Sequence, residues 1–171
     1  MVTIIGAKGN QIQDVKTFFH QVSILSTKYD ILIQAIDADY VYGKSHLISA
    51  VEHAKRAFEH KTNSLNALEL EILLYASGER QIQKAIEKIG VKKGTEKIAF
   101  IFIPKNKRKN LDDEGNQILL DLDFKRDDKV LEGDINTLYR FGITKEEIYT
   151  IDERMYGDLL LEKVALVDII K

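Results

Sequence analysis

The stretch from Asn63 to Gly90, NSLNALELEILLYASGERQIQKAIEKIG, constrains the fold most, because two helical periods meet there at a break. Leu65, Leu68, Ile72, Tyr75 and Ala76 recur at spacings of three and four, which predicts a helix with one buried face. Gly78 stops that helix. Ser77 is placed to cap a second one, its hydroxyl accepting from the amide of Arg80 or Gln81, with Ile82, Ala85, Ile86 and Ile89 as the buried stripe. Gly90 closes the second helix as a residue free to take a positive φ. Arg80, Gln81, Lys84 and Lys88 fall on the opposite face, beside a helix start whose open amides favour anions.

The flanking sequence supplies strands and further helices. Val2–Ala7 reads as a short strand, Ile12–Tyr29 as a helix with Val15, Phe18, Phe19, Val22 and Leu25 on one side, and Ile31–Asp37 as a buried strand. Tyr40–Tyr42 extends that strand or starts another, and Ser45–Glu59 forms a helix with Leu47, Ile48, Val51, Ala54 and Phe58 inward. Lys97–Ile103 is the most hydrophobic strand and is expected at the centre of the sheet, ended by Pro104. Lys105–Gln117 is expected as an exposed loop and Ile118–Phe124 (ILLDLDF) as an edge strand with one wet face. Ile135–Phe141 is a short helix capped by Asp134. Thr144, with Glu147 completing a capping box, starts a last helix that runs through Leu159, Leu160, Val164 and Val167. These elements predict an α+β (mixed α/β) fold, a mixed central β-sheet with helices packed against it, in a single domain spanning 1–171.

A hydrophobic content of 44% with 30% charged residues is that of a globular protein and excludes wholesale disorder. The absence of cysteine excludes disulfides, thiolate metal sites and cysteine nucleophiles. No apolar run is long enough to span a bilayer and the N-terminus lacks a signal-peptide pattern, so a cytoplasmic protein without a membrane partner is expected. The net charge of −2 is unevenly spread, with ten Lys or Arg against three Glu from Glu79 to Lys109 and nine acidic residues against three basic from Asn110 to Asp134.

Catalytic constellations do not assemble. His46, His53 and His60 repeat every seven residues on one helix face, but roughly 1.5 Å of rise per residue puts neighbours about 10 Å apart, too far for one metal ion. The Asp121-Leu122-Asp123 pair resembles the Asp-x-Asp of magnesium-dependent phosphohydrolases, where one carboxylate attacks phosphorus. Lys125 stands where those enzymes carry a small hydroxyl or β-branched residue, so such an activity is the alternative rather than the main reading. Asp112-Asp113-Glu114-Gly115 lacks calcium-loop spacing, and Gly6-Ala7-Lys8-Gly9 lacks the ending of a phosphate loop. A binding module with no cofactor and no metal site is expected. Its best site is Arg80, Gln81 and Lys84, with Lys61 and Lys44 near them, suited to phosphate and to a base edge. The last helix is apolar on more than one face, which predicts an exposed protein interface.

The segment Ala38–Phe58, the phrase Ala-Ser-Gly-Glu-Arg-Gln-Ile (76–82) with its flanking helices, the strand IAFIFI after Gly94 and the ending LLLEKVALVDII, in that order, resemble one family. It is the small kinase-binding, regulatory subunit of the KEOPS (EKC) complex, the archaeal counterpart of the PRPK-binding protein. Residues Pro104–Lys129 fit least clearly, and nothing is carried over there. The resemblance implies a non-catalytic subunit that binds the atypical protein kinase of the complex directly and the threonylcarbamoyl-transferase subunit indirectly through it. It also implies recruitment of tRNA by its 3′ CCA end for threonylcarbamoyladenosine modification beside the anticodon. On that reading Leu160, Leu161, Val164 and Val167 are the expected kinase interface, and Arg80, Gln81, Lys84, Lys61 and Lys44 the expected tRNA contacts.

Overall fold

The computed structural model describes residues 1–107 and 110–170. In chain order they form β1 (Thr3–Gly9), α1 (Val15–Tyr29), β2 (Ile31–Asp37), α2 (Gly43–Glu59), α3 (Leu68–Ser77), α4 (Ile82–Ile89), β3 (Lys97–Pro104), α5 (Asp112–Asp121), β4 (Phe124–Arg126), α6 (Ile135–Phe141), α7 (Lys145–Tyr149) and α8 (Tyr156–Ile170). The fold is α+β. Two compact units account for the chain, one from residues 1–38 and 91–130 and the other from 39–90 and 131–171.

The first unit holds the sheet, in the order β2-β3-β1-β4. Every pairing is antiparallel, so the sheet is more regular than the mixed one expected from the connection lengths. β3 lies centrally, as its composition predicts: Ile98 to Ile103 are all buried, so neither of its faces meets water. Phe18, Val22 and Leu25 of α1 join Ile5, Ile33, Phe100 and Phe102 in one core, whereas Phe19 turns outward. Asp14 caps α1 by accepting from the Thr17 amide at 3.2 Å.

Three local expectations fail, two of them in this unit. Residues 112–121, assigned to a loop and the start of an edge strand, form α5, and the strand β4 begins only at Phe124. The pattern of ILLDLDF satisfies alternation, but burial of Ile118, Leu119 and Leu122 with Leu120 left 70% exposed is a helical pattern. The acidic run Asp112-Asp113-Glu114 then occupies the first turn, where the helix dipole favours it. Arg108 and Lys109, in the loop expected before it, lie outside the described residues, as does Lys171. Tyr40–Tyr42 adds no strand; a 3-10 turn covers Ala38–Tyr40.

α5 approaches the sheet closely at Gly115. A Cβ there would stand 2.7 Å from Ile5 Cδ1 and 3.2 Å from Phe102 Cε2, so any larger residue presses on these two core side chains.

The second unit is helical. α3 is buried from Glu71 through Ser77 on all sides, not along one stripe, while Leu65 lies before the helix. The buried Glu71 carboxylate is satisfied by backbone amides: Ser64 N–H reaches it at 3.1 Å and Leu65 N–H at 3.0 Å. α4 buries Ala85 and Ile89 but exposes Ile86, and Gly90 ends it in an extended conformation (φ −67°), not with a positive φ. In α2 the inner face is His46, Leu47, Ala50, Val51, Ala54 and Ala57; Ile48 is exposed and Phe58 half-buried. The predicted Asp134 cap and the Thr144/Glu147 capping box both form, and Thr137 completes a second box with Asp134. The helix begun at Thr144 stops at Tyr149, however, and α8 starts anew after a 3-10 turn at Glu153–Met155.

Gly115→Ala must displace the ends of the Ile5 and Phe102 side chains but gains about 1 kcal/mol of helix propensity, so a net cost of about 0–2 kcal/mol is expected. Urea unfolding measures this, and a raised midpoint would show that the two side chains give way freely.

Candidate functional site

The turn between α3 and α4 carries the phrase ASGERQI, and its first four residues are committed to structure. The Ala76 carbonyl accepts from His46 Nε2 at 2.8 Å. Ser77 does not cap α4; its hydroxyl donates to the Leu74 carbonyl (2.8 Å) and accepts from the Glu79 amide (3.1 Å), closing α3 instead. Gly78 takes the left-handed conformation (φ 69°) that reverses the chain. Glu79 pairs with Lys88 at 3.3 Å.

Lys88 therefore leaves the basic face on which sequence periodicity places it. Its ammonium donates to the Ser77 carbonyl (2.9 Å) and lies 4.1 Å from the centre of the Phe141 ring. Burial pushes its pKa below the usual lysine value, against the opposing pull of Glu79.

Arg80, Gln81 and Lys84 remain exposed together at the start of α4, whose cap residue Gln81 makes no side-chain cap. The two other expected contacts separate. Lys44 sits in the first turn of α2, the end that His46 ties to the C-terminus of α3, so it shares the Arg80 end of the helix pair. Lys61 follows the last turn of α2; 61 − 44 gives 17 residues, roughly 25 Å of helix rise away.

The second expected interface changes more. Leu160, Val164 and Val167 are fully buried within the helical unit, where α8 packs on α2 and α3, and Leu161 is half-buried. Leu160, Val164 and Val167 are thus core residues, which leaves them little surface to offer a partner. Leu166, Ile169 and Ile170 are 38%, 78% and 44% exposed, and their i, i+3, i+4 spacing makes them one patch on the last turns of α8. Asp168 secures that end: Tyr75 Oη donates to its Oδ1, and its Oδ2 meets His53 Nδ1 at 2.7 Å. Burial, reinforced by this carboxylate, pushes the Tyr75 hydroxyl pKa up. The His53 ring stacks on Tyr75 at 5.5 Å.

Asp121 and Asp123 do not form the strand-borne pair that phosphohydrolase chemistry needs. Asp121 ends α5, bonded by Gln117 Nε2 at 3.1 Å, and Asp123 occupies a left-handed turn (φ 60°). A cavity of about 670 Å³ in the sheet unit includes Asp123 with Lys8, Asn116, Lys125 and Arg126 but not Asp121. Among the described residues, no group of three or more His, Asp or Glu side chains is arranged to hold a metal ion. The roles of His46, Glu71 and Asp168 as tertiary hydrogen-bonding centres had no signal in spacing or charge.

The family model of the kinase binding protein CGI-121 matches residues 10–167. The chain belongs to the CGI-121 family. That match spans both halves of the helical unit and nearly all of the sheet unit, so it takes in the 76–82 turn and α8 alike. No curated protein matches the sequence. Kinase binding is thus the property by which this CGI-121 family is described, and none of the described helices is long and apolar enough to cross a membrane.

His46 gives the helical unit a pH dependence. Tyr42 N–H donates to its Nδ1 at 3.3 Å while Nε2 faces the Ala76 carbonyl, so the buried ring is the neutral Nε2–H tautomer. Burial, the largest cause, lowers its pKa from 6.5 to about 4. The unfolded chain therefore binds the extra proton first, and stability falls as pH drops from 6.5 towards 4, by roughly 3 kcal/mol at full effect. His46→Gln should flatten this part of the stability–pH curve; identical slopes for the two proteins would contradict the assignment.

Proposed function

We propose that this chain is the non-catalytic KEOPS subunit that docks on the small atypical kinase and, through it, reaches the threonylcarbamoyl-transferase subunit. Membership of the kinase-binding CGI-121 family carries this reading. The docking face we assign is the apolar patch Leu166, Ile169 and Ile170 on α8, which offers a partner the apolar area that the buried Leu160, Val164 and Val167 cannot. Its anchorage through Asp168 to α2 and α3 supports this choice, since a preorganised face loses less entropy on binding.

The same subunit presents tRNA, in this reading, through the 3′ CCA end. Arg80, Gln81 and Lys84 are the contacts we retain, with Lys44 at the same end of the helix pair. The exposed cations and the uncapped first turn of α4 suit a single-stranded backbone, and the Gln81 amide suits a base edge.

The kinase arm is tested with Leu166→Glu/Ile169→Glu, which should weaken kinase affinity at least tenfold in titration calorimetry while thermal unfolding stays at the wild-type temperature. Val164→Glu should instead unfold the helical unit, because it buries an unpaired charge. Wild-type affinity in the double variant would remove the α8 patch. For the RNA arm, Arg80→Ala/Lys84→Ala should lower tRNA affinity and reduce the salt slope of log K by about 1.4, as for two lost phosphate contacts on a single strand. An unchanged slope would eliminate that surface and leave kinase binding standing.

A further inference from the structure

The C-terminal end of α2, the segment that follows it and the last turns of α8 enclose a cavity of about 470 Å³, lined by His53, Arg56, His60, Thr62, Ser64 and Asp168. All six belong to the helical unit. Among the described residues, the Arg56 guanidinium, the His60 ring and the Ser64 hydroxyl have no hydrogen-bond or ion-pair partner of their own. The carboxylate in the wall is already engaged, since Asp168 holds Tyr75 with one oxygen and His53 with the other. The end of α2 carries the negative pole of the helix dipole, but three of its carbonyls are covered. His60, Lys61 and Thr62 amides cover the carbonyls of Arg56, Phe58 and Ala57 at 2.9, 3.2 and 2.8 Å, and Thr62 Oγ1 adds a bond to Ala57.

We propose that this cavity is a binding site for a phosphoryl group, held by Arg56, His60 and Ser64. Arg56 and His60 stand one turn apart at the end of α2 and Ser64 on the segment that follows, so a guanidinium fork, an imidazole and a hydroxyl line one cavity and together offer donors to the several oxygens of a tetrahedral anion. The volume exceeds that of a single ion, which leaves room beside the phosphoryl group for more of the molecule that carries it. The site is separate from the Arg80 surface, because it lies at the Lys61 end of α2 and not at the Lys44 end. It does not depend on the tRNA reading.

Histidine ring resonances of the full chain provide the test, titrated with inorganic phosphate, with adenosine monophosphate and with a CCA trinucleotide, against sodium chloride at equal ionic strength. His53 and His60 signals should shift saturably with a phosphate-bearing probe and not with chloride. Arg56→Ala should weaken that response at least tenfold with the circular dichroism spectrum unchanged, and Arg80→Ala should leave it intact. Saturation by phosphate and the mononucleotide assigns the site to a free phosphorylated small molecule, whereas saturation by the trinucleotide alone assigns it to an RNA chain end. Absence of a saturable shift with all three probes overturns the proposal, as does a response that survives both Arg56→Ala and His60→Ala. Loss of tRNA binding in Arg80→Ala/Lys84→Ala alongside that result would leave the function proposed above in place.

Discussion

A single uncharged imidazole joins three parts of the helical unit, and the neighbouring geometry follows from satisfying it. His46 on α2 uses one ring nitrogen for the Tyr42 amide and the other for the Ala76 carbonyl of α3, while its edge meets Phe141 of α6 at a centroid distance of 5.6 Å. Without the imidazole the Ala76 carbonyl would be a buried acceptor lacking this bond, at a cost of about 1–3 kcal/mol. Fixing Ala76 fixes the end of α3, and so the point at which Gly78 turns the chain and Arg80 leaves the core. Lys88, which works against protonation of His46, finds its own partners in Ser77, Glu79 and Phe141. The turn between α3 and α4 is therefore held from both sides before it offers any side chain to a ligand.

The other end of the same helices is fastened by a carboxylate. Asp168 binds Tyr75 of α3 and His53 of α2, so the last turns of α8 are registered on both helices by side-chain bonds as well as by apolar packing. This ties the buried face of α8 to its exposed one. Leu160, Val164 and Val167 supply the adhesion, Asp168 supplies the register, and Leu166, Ile169 and Ile170 are left facing outward in a fixed arrangement. A side chain cannot serve both the core and an interface on so narrow a helix.

Legibility in the sequence followed the range of the interactions. The Asp134 cap and the Thr144/Glu147 capping box are set by residues three apart, and both are found where the pattern places them. The strands Ile31–Asp37 and Lys97–Ile103 were equally readable, because β-branched and aromatic runs of that length have few other uses, and only Pro104 is added to the second. α5 was misread since seven residues of ILLDLDF fit a half-wet strand as well as the end of a helix, and the deciding fact, the close approach at Gly115, is tertiary. α8 failed for a related reason. With apolar residues on most of its circumference, its sequence offers several possible inner faces, and only packing against α2 and α3 selects one. Lys88 shows the limit for charges: a helical wheel puts it with Arg80 and Lys84, but its partners come from residues 77, 79 and 141. The phrase ASGERQI pointed to the right family, although four of its seven residues serve the turn.

The strand order has a consequence for how the chain is made. β1 and β2 lie on opposite sides of β3 and do not pair with each other, and Thr3 finds its partner at Phe102. A ribosome that has released the first 38 residues has therefore produced two strands with all their backbone groups open, and must add residues 39–104 before either is matched. At roughly 5–20 residues per second that interval is about 3–13 s. The nascent sheet unit must pass through it as an unpaired template, which is the state most open to capture by another strand or by a chaperone.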